Sequence, residues 1–105
     1  PEPTPEPTPQ PAKPVVVQGS GGQKTKPFDM PGGDFTVVIT GNGDSNVIAR
    51  LIPRGGDIFE GEALFNEISD GKYKYETVVY GLEPGSYYLD MVNDNAWVVT
   101  FTPLP

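Results

Sequence analysis

Cysteine and histidine are both missing from these 105 residues. Without cysteine there is no disulfide framework to reinforce a small core, and nothing in the thiols marks a redox compartment. Without histidine the chain lacks the side chain that most often serves as general base or zinc ligand near neutral pH, so the usual nucleophilic triads and most zinc sites are excluded. Basic residues are also scarce: seven Lys and Arg stand against fourteen Asp and Glu, a formal charge of -7. A surplus of that sign repels nucleic-acid phosphates and anionic lipid headgroups, which argues against nucleic acid as a partner. No run approaches the ~20 apolar residues of a membrane-spanning helix, so direct membrane insertion is not expected. No charged-then-apolar leader is present either, which points to a removed leader or to a piece of a longer chain.

What the chain does have is proline and glycine, thirteen of each. Seven of the prolines fall within PEPTPEPTPQPAKP, residues 1–14, where no side chain is large and apolar enough to bury. Fixed φ at proline and extended geometry before it favour polyproline II, roughly 40 Å long when stretched. The segment reads as a Pro/Thr/Glu-rich linker or stalk, with docking into an aromatic groove as the alternative. The folded domain is then expected over 15–105.

From Val15 onward short apolar runs alternate with Gly, Pro, Asn and Asp about every ten residues, the rhythm of an all-β sandwich or barrel. Strands are expected over 15–18, 25–30, 34–40, 46–52, 63–68, 72–80, 85–92 and 96–102. The stretch IFEGEALFNEI, residues 58–68, also fits a helical turn because its apolar spacing is mixed. Two hairpins suggest themselves. Around Asn93–Asn95 the expected pairs are Met91 with Trp97, Leu89 with Val99 and Tyr87 with Phe101. Around GNGDS they are Ile39 with Val47, Val37 with Ala49 and Phe35 with Leu51. Strict strand alternation puts each set on one apolar face, which is assigned to the core. The reverse side of the second hairpin sets Val38 opposite Ile48, and these two with Val98 form a candidate interaction surface, joined by Ile52 or Val78 if they cluster.

The stretches PFDMPGGDFTVVITG, NVIARLIPRGG and YETVVYGLEPGSYYLDMV together resemble β-sandwich accessory domains at the C-termini of secreted bacterial proteins, the pre-peptidase C-terminal domains and jelly-roll relatives on surface lipoproteins. The resemblance rests on an apolar strand next to a Pro-Gly-Gly turn, an Arg-Gly-Gly turn in the middle, and G-L-x-P-G-x-Y-Y-L ahead of a Trp strand, over about residues 20–103. It implies a jelly-roll-like antiparallel sandwich of about eight strands, an extracellular or cell-surface location, and accessory work without catalytic residues.

The residues themselves bring three chemistries into question. GNGDSN, residues 41–46, has calcium-loop flavour but only one carboxylate, Asp44, whereas calcium wants six to eight oxygens, so it reads as a turn with Gly and Asn supplying positive φ. Sugar binding needs flat aromatic platforms beside polar groups; Tyr80 and Tyr88, with Asp90, are the candidates because parity turns them away from the core. Glycosidic hydrolysis by Glu60, Glu62 or Glu67 would need a deep cleft that a core this small does not supply. The expectation is a non-enzymatic module with neither cofactor nor metal, binding a polysaccharide or cell-surface polymer, or alternatively a surface protein within a larger assembly.

Overall fold

The computed structural model describes residues 14–43, 45–54, 62–93 and 95–104. They are built from strands alone: β1 (Val15–Ser20), β2 (Gln23–Lys24), β3 (Phe28–Met30), β4 (Gly33–Gly43), β5 (Asn46–Pro53), β6 (Glu62–Ile68), β7 (Gly71–Leu82), β8 (Gly85–Val92) and β9 (Ala96–Pro103). One antiparallel sheet, here sheet A, runs β1-β9-β4-β7; sheet B runs β2-β8-β5-β6, with β3 also on β8. β2 and β3 lie end to end on the same edge of β8, facing Met91–Asp90 and Tyr87–Gly85 respectively, so the nine segments occupy eight strand positions.

The order is nested. β5 pairs with β6, β4 with β7, β2 and β3 with β8, and β1 with β9. A long hairpin rolled up on itself gives these pairings, and rolling puts alternate pairs into opposite sheets, which is the jelly-roll sandwich. Both expected hairpins are therefore replaced by crossings between sheets. β4 pairs with β7 and β9, not with β5, and β8 pairs with β5, β2 and β3, not with β9. The inward faces are as expected: Phe35, Val37, Ile39, Val47, Ala49 and Leu51 are buried, as are Tyr87, Leu89, Met91, Trp97, Val99 and Phe101. Parity along a strand assigns a face, and an apolar face is buried equally well beside its neighbour or across the sandwich from it.

Local chemistry explains the interruptions. The expected strand 25–30 breaks at Thr25–Pro27. There the Thr25 N–H donates to Leu89 O (2.9 Å) and the Leu89 N–H donates to the Thr25 hydroxyl (2.9 Å). A side-chain oxygen thus stands in for a ladder carbonyl, and Pro27, which has no N–H, follows on an edge where none is needed. In β6 the register shifts where Ala49 faces Phe65 but Arg50 faces Ala63, which leaves Leu64 as the extra residue of a bulge. Leu64 and Phe65 are consecutive yet both buried, so strict alternation fails there. That bulge is why the residues at 62–68 also suggested a helical turn; 58–61 lie outside the described residues.

The core is continuous from Met30 and Phe35 through Trp97 to Phe101. Trp97 is 1% exposed and its indole N–H donates to Gly21 O (3.2 Å), so its one polar atom is satisfied at the mouth of the sandwich. At the same end, Gly41 and Gly43, expected in a turn, belong to β4 and face Tyr73 and Gly71 of β7, and they serve for space. Neither Gly41 nor Gly43 has positive φ, and no described residue other than glycine does. A Cβ on Gly41 would crowd the Tyr73 hydroxyl and lie 2.7 Å from its Cζ and 2.9 Å from Ala96 O. On Gly43 it would lie 2.8 Å from Asn93 Oδ1. The Tyr73 hydroxyl and Asn93 Oδ1 are both buried without a hydrogen-bond partner among the described residues.

Candidate functional site

Two solvent-facing sheet surfaces remain once the inner faces are spent on the core. On sheet B, register brings polar and aromatic groups into adjacent rows. Asp90 stands between Lys24 on β2 and Arg50 on β5. In the next row Tyr88 stands beside Ile52, and in the row on the other side Val92 stands beside Ile48. The Lys24 ammonium lies over the Tyr88 ring, 5.9 Å from its centroid, within the range of a cation–π attraction. Tyr88, Asp90 and Arg50 are all half-buried, while Lys24 is exposed. A sheet surface of this kind holds a flat ring, a carboxylate acceptor and two cationic donors within one or two strand spacings, which are groups suited to hydroxyl- and carboxylate-bearing ligands.

Ile52 bounds this strip. By parity it points away from the core, and it is absent from the continuous core cluster, yet its exposure is 0%. Ile52 is itself covered, and it cannot extend an exposed apolar surface as the sequence suggested.

Sheet A presents a different face. In its rows Val16, Thr100, Val38 and Glu76 are neighbours, flanked by Gln18, Val98, Thr40 and Lys74 on one side and by Thr102, Thr36 and Val78 on the other. Val16 is 58% and Val78 40% exposed, and Val38 and Val98 are half-buried between threonines. Tyr80, 73% exposed, is on this sheet.

The expected sets are thus split by the sandwich. Tyr88 and Asp90 come together, but Tyr80 belongs to the other sheet and cannot share a ligand with them. Val38 and Val98 come together, joined by Val16 and Val78, but Ile48 lies on sheet B and never faces Val38. The Val38–Ile48 error comes from the hairpin that placed β4 beside β5, whereas Tyr80 and Tyr88 share only outward parity, which assigns neither to a sheet. Lys24 and Arg50, which flank Asp90, were not foreseen. A two-residue strand leaves no periodic signal for Lys24, and Arg50 falls beside Asp90 only once β5 is known to pair with β8.

At the side of the sandwich where β1 and the β2–β3 edge approach each other lies an open cleft of about 590 Å³, lined by Val16–Gln18 and by Lys24–Phe28. Among the described residues no group of three or more Asp or Glu is placed to hold a metal ion. No described helix is long and apolar enough to cross a membrane. Two groups titrate unusually. Burial, with Tyr75 nearby, raises the Tyr73 phenol above its ordinary 10.0, and burial, with Glu83 nearby, raises Tyr87. Tyr87 also donates to Glu83 O at 2.6 Å. Both point to the interior and neither belongs to the exposed strip. No protein-family model matches the chain, and no curated protein matches it significantly.

Proposed function

We propose that the chain is a non-catalytic, extracytoplasmic accessory module that binds a carbohydrate or cell-surface polymer on the outer face of sheet B. The observation that carries this reading is the grouping of Tyr88, Asp90, Lys24 and Arg50 in adjacent register positions. Sugars are recognised by a ring face that takes C–H groups and by charged or polar atoms at its rim that take hydroxyls. Tyr88 supplies the first and its three neighbours the second. Lys24 over the ring limits stacking to the part it leaves open and offers a counter-charge to any acidic substituent. The Pro-Thr-rich residues 1–14 and the resemblance to secreted bacterial sandwiches support the extracytoplasmic placement. The test is affinity electrophoresis through gels containing individual polysaccharides. Retardation should vanish in Tyr88→Ala and persist in Tyr80→Ala; a retained shift in folded Tyr88→Ala would remove Tyr88 from the site.

The second reading, a protein-assembly domain, is favoured by the valine cluster Val16, Val38, Val78 and Val98 on sheet A. Its signature is association in sedimentation velocity that Val38→Lys abolishes.

A further inference from the structure

Each sheet has two edges, and three of the four carry features that deter pairing with another chain. β7 exposes Lys72, Lys74 and Glu76. β6 is bulged at Leu64 and exposes Glu67. The β2–β3 edge is broken at Thr25–Pro27 and carries Lys24, Lys26 and Asp29. β1 has none of these devices. Its six residues, VVVQGS, contain no charge and no proline, and they pair with β9 without a shift from Val15↔Phe101 to Ser20↔Ala96. An uncharged, unbulged edge is a template for a further strand.

The hydrogen bonds identify which atoms it offers. The Gly21 N–H donates to Asn95 O (3.2 Å), one step beyond Ser20↔Ala96, so the odd-numbered residues of β1 turn their backbone groups toward β9. In an antiparallel pair the direction alternates, and the N–H and C=O of Val16, Gln18 and Ser20 therefore face the open edge. A strand added there would form one wall of the cleft beside β1, with alternate side chains directed over Phe28 and toward Lys24 and Lys26. Those ammoniums decide the occupant. A second copy pairing β1 to β1 would bring two more lysines to the same place, whereas a strand with carboxylates on its inward side would meet opposite charge.

We propose that β1 accepts an extended, acidic peptide segment of a partner protein as an added edge strand, with its inward carboxylates paired to Lys24 and Lys26. This surface is separate from the glycan strip, sharing only Lys24 with it, and it does not depend on that reading.

The test titrates the full-length, isotope-labelled chain with a capped synthetic peptide alternating valine with threonine and glutamate, and with its lysine counterpart. Saturable amide shifts and slowed amide exchange at Val16, Gln18 and Ser20 are expected with the glutamate peptide, and roughly tenfold weaker binding in the Lys24→Glu/Lys26→Glu double variant. Gln18→Pro is the decisive substitution. It removes an N–H that β9 does not use, so the fold should survive, as proline is tolerated at an outward edge position, while peptide binding should be lost. Polysaccharide retardation should be unchanged in Gln18→Pro, and peptide binding should be unchanged in Tyr88→Ala. Equal binding of the two peptides, or full binding to folded Gln18→Pro, would overturn the proposal. So would concentration-dependent dimerisation abolished by Gln18→Pro, because it would put a second copy on the edge.

Discussion

Tyr73 is a hydroxyl in the wrong place for stability, and removing it should make the protein more stable. Its Oη is buried and has no partner among the described residues, while its ring is stacked on Tyr75 with centroids 5.3 Å apart. Tyr73→Phe keeps the ring and the stacking and deletes only the unpaired group. An unsatisfied buried polar group costs ~1 to 3 kcal/mol, so relief of even the lower figure should raise the melting temperature by roughly 4 to 8 °C in a domain of this size. Gly41 provides the complementary perturbation. Gly41→Ala places a methyl against the same hydroxyl, 2.7 Å from Tyr73 Cζ and 2.9 Å from Ala96 O, and overpacking of this kind costs ~1 to 3 kcal/mol. Tyr73→Phe removes one of those three contacts and leaves the other two, so the double variant should recover part of the loss and no more. The assay is a double-mutant cycle by urea denaturation followed by circular dichroism, with a positive coupling energy above ~0.5 kcal/mol expected. A Tyr73→Phe variant less stable than the parent would show that the hydroxyl has a partner, such as a buried water, and would refute the reasoning.

Trp97→Ala should lose ~3 to 5 kcal/mol and be largely unfolded in the same denaturation assay, because it empties the largest fully buried site and strands Gly21 O, whereas Tyr88→Ala should fold normally. Thr25→Val should lower the midpoint by the equivalent of ~1 to 3 kcal/mol, since it takes the acceptor from the Leu89 N–H at a point where the edge ladder is already broken. Alkali should destabilise the fold: Tyr73 and Tyr87 have folded pKa values raised above 10.0, so the native state holds protons that the unfolded chain releases. Their contribution is complete below pH 10.0 and is lost as pH rises through the folded values, which a pH series of melting curves with tyrosinate absorbance would follow. Chelation by EDTA should leave the thermal transition unmoved, and a downward shift would reveal a stabilising ion.

The faces of the strands were legible from alternation alone, and the partners were not. Phe35, Val37 and Ile39 repeat every second residue, as do Trp97, Val99 and Phe101, and each set is buried as expected. The same alternation is equally satisfied by a hairpin and by two strands facing each other across a sandwich, so it had no power to choose between them. Length did not choose either: the expected strands 34–40 and 46–52 are equally long, and only in the structure does β4 run on to Gly43, matching β7 from Gly71 to Leu82. The glycines at 41 and 43 concealed that extension, read as turn flexibility when their use is clearance for Tyr73 and Asn93.

Misplaced partners matter more for a surface than for a core. A core residue needs only to point inward, and any inward neighbour of suitable size will bury it. A binding surface needs specific neighbours, which parity alone does not supply: Tyr80 and Tyr88 are both outward residues, yet one belongs to sheet A and the other to sheet B. The true neighbours of Tyr88 and Asp90 come from β2 and β5: Lys24 lies 66 positions before Asp90 and Ile52 lies 36 before Tyr88, and no local pattern connects them. Nesting alone makes that connection, because rolling the chain brings its first short edge strand and its middle strand to either side of β8. It also leaves β1 as an outermost strand with half its backbone groups unspent, so the fold that assembles the strip on sheet B exposes the open edge of sheet A.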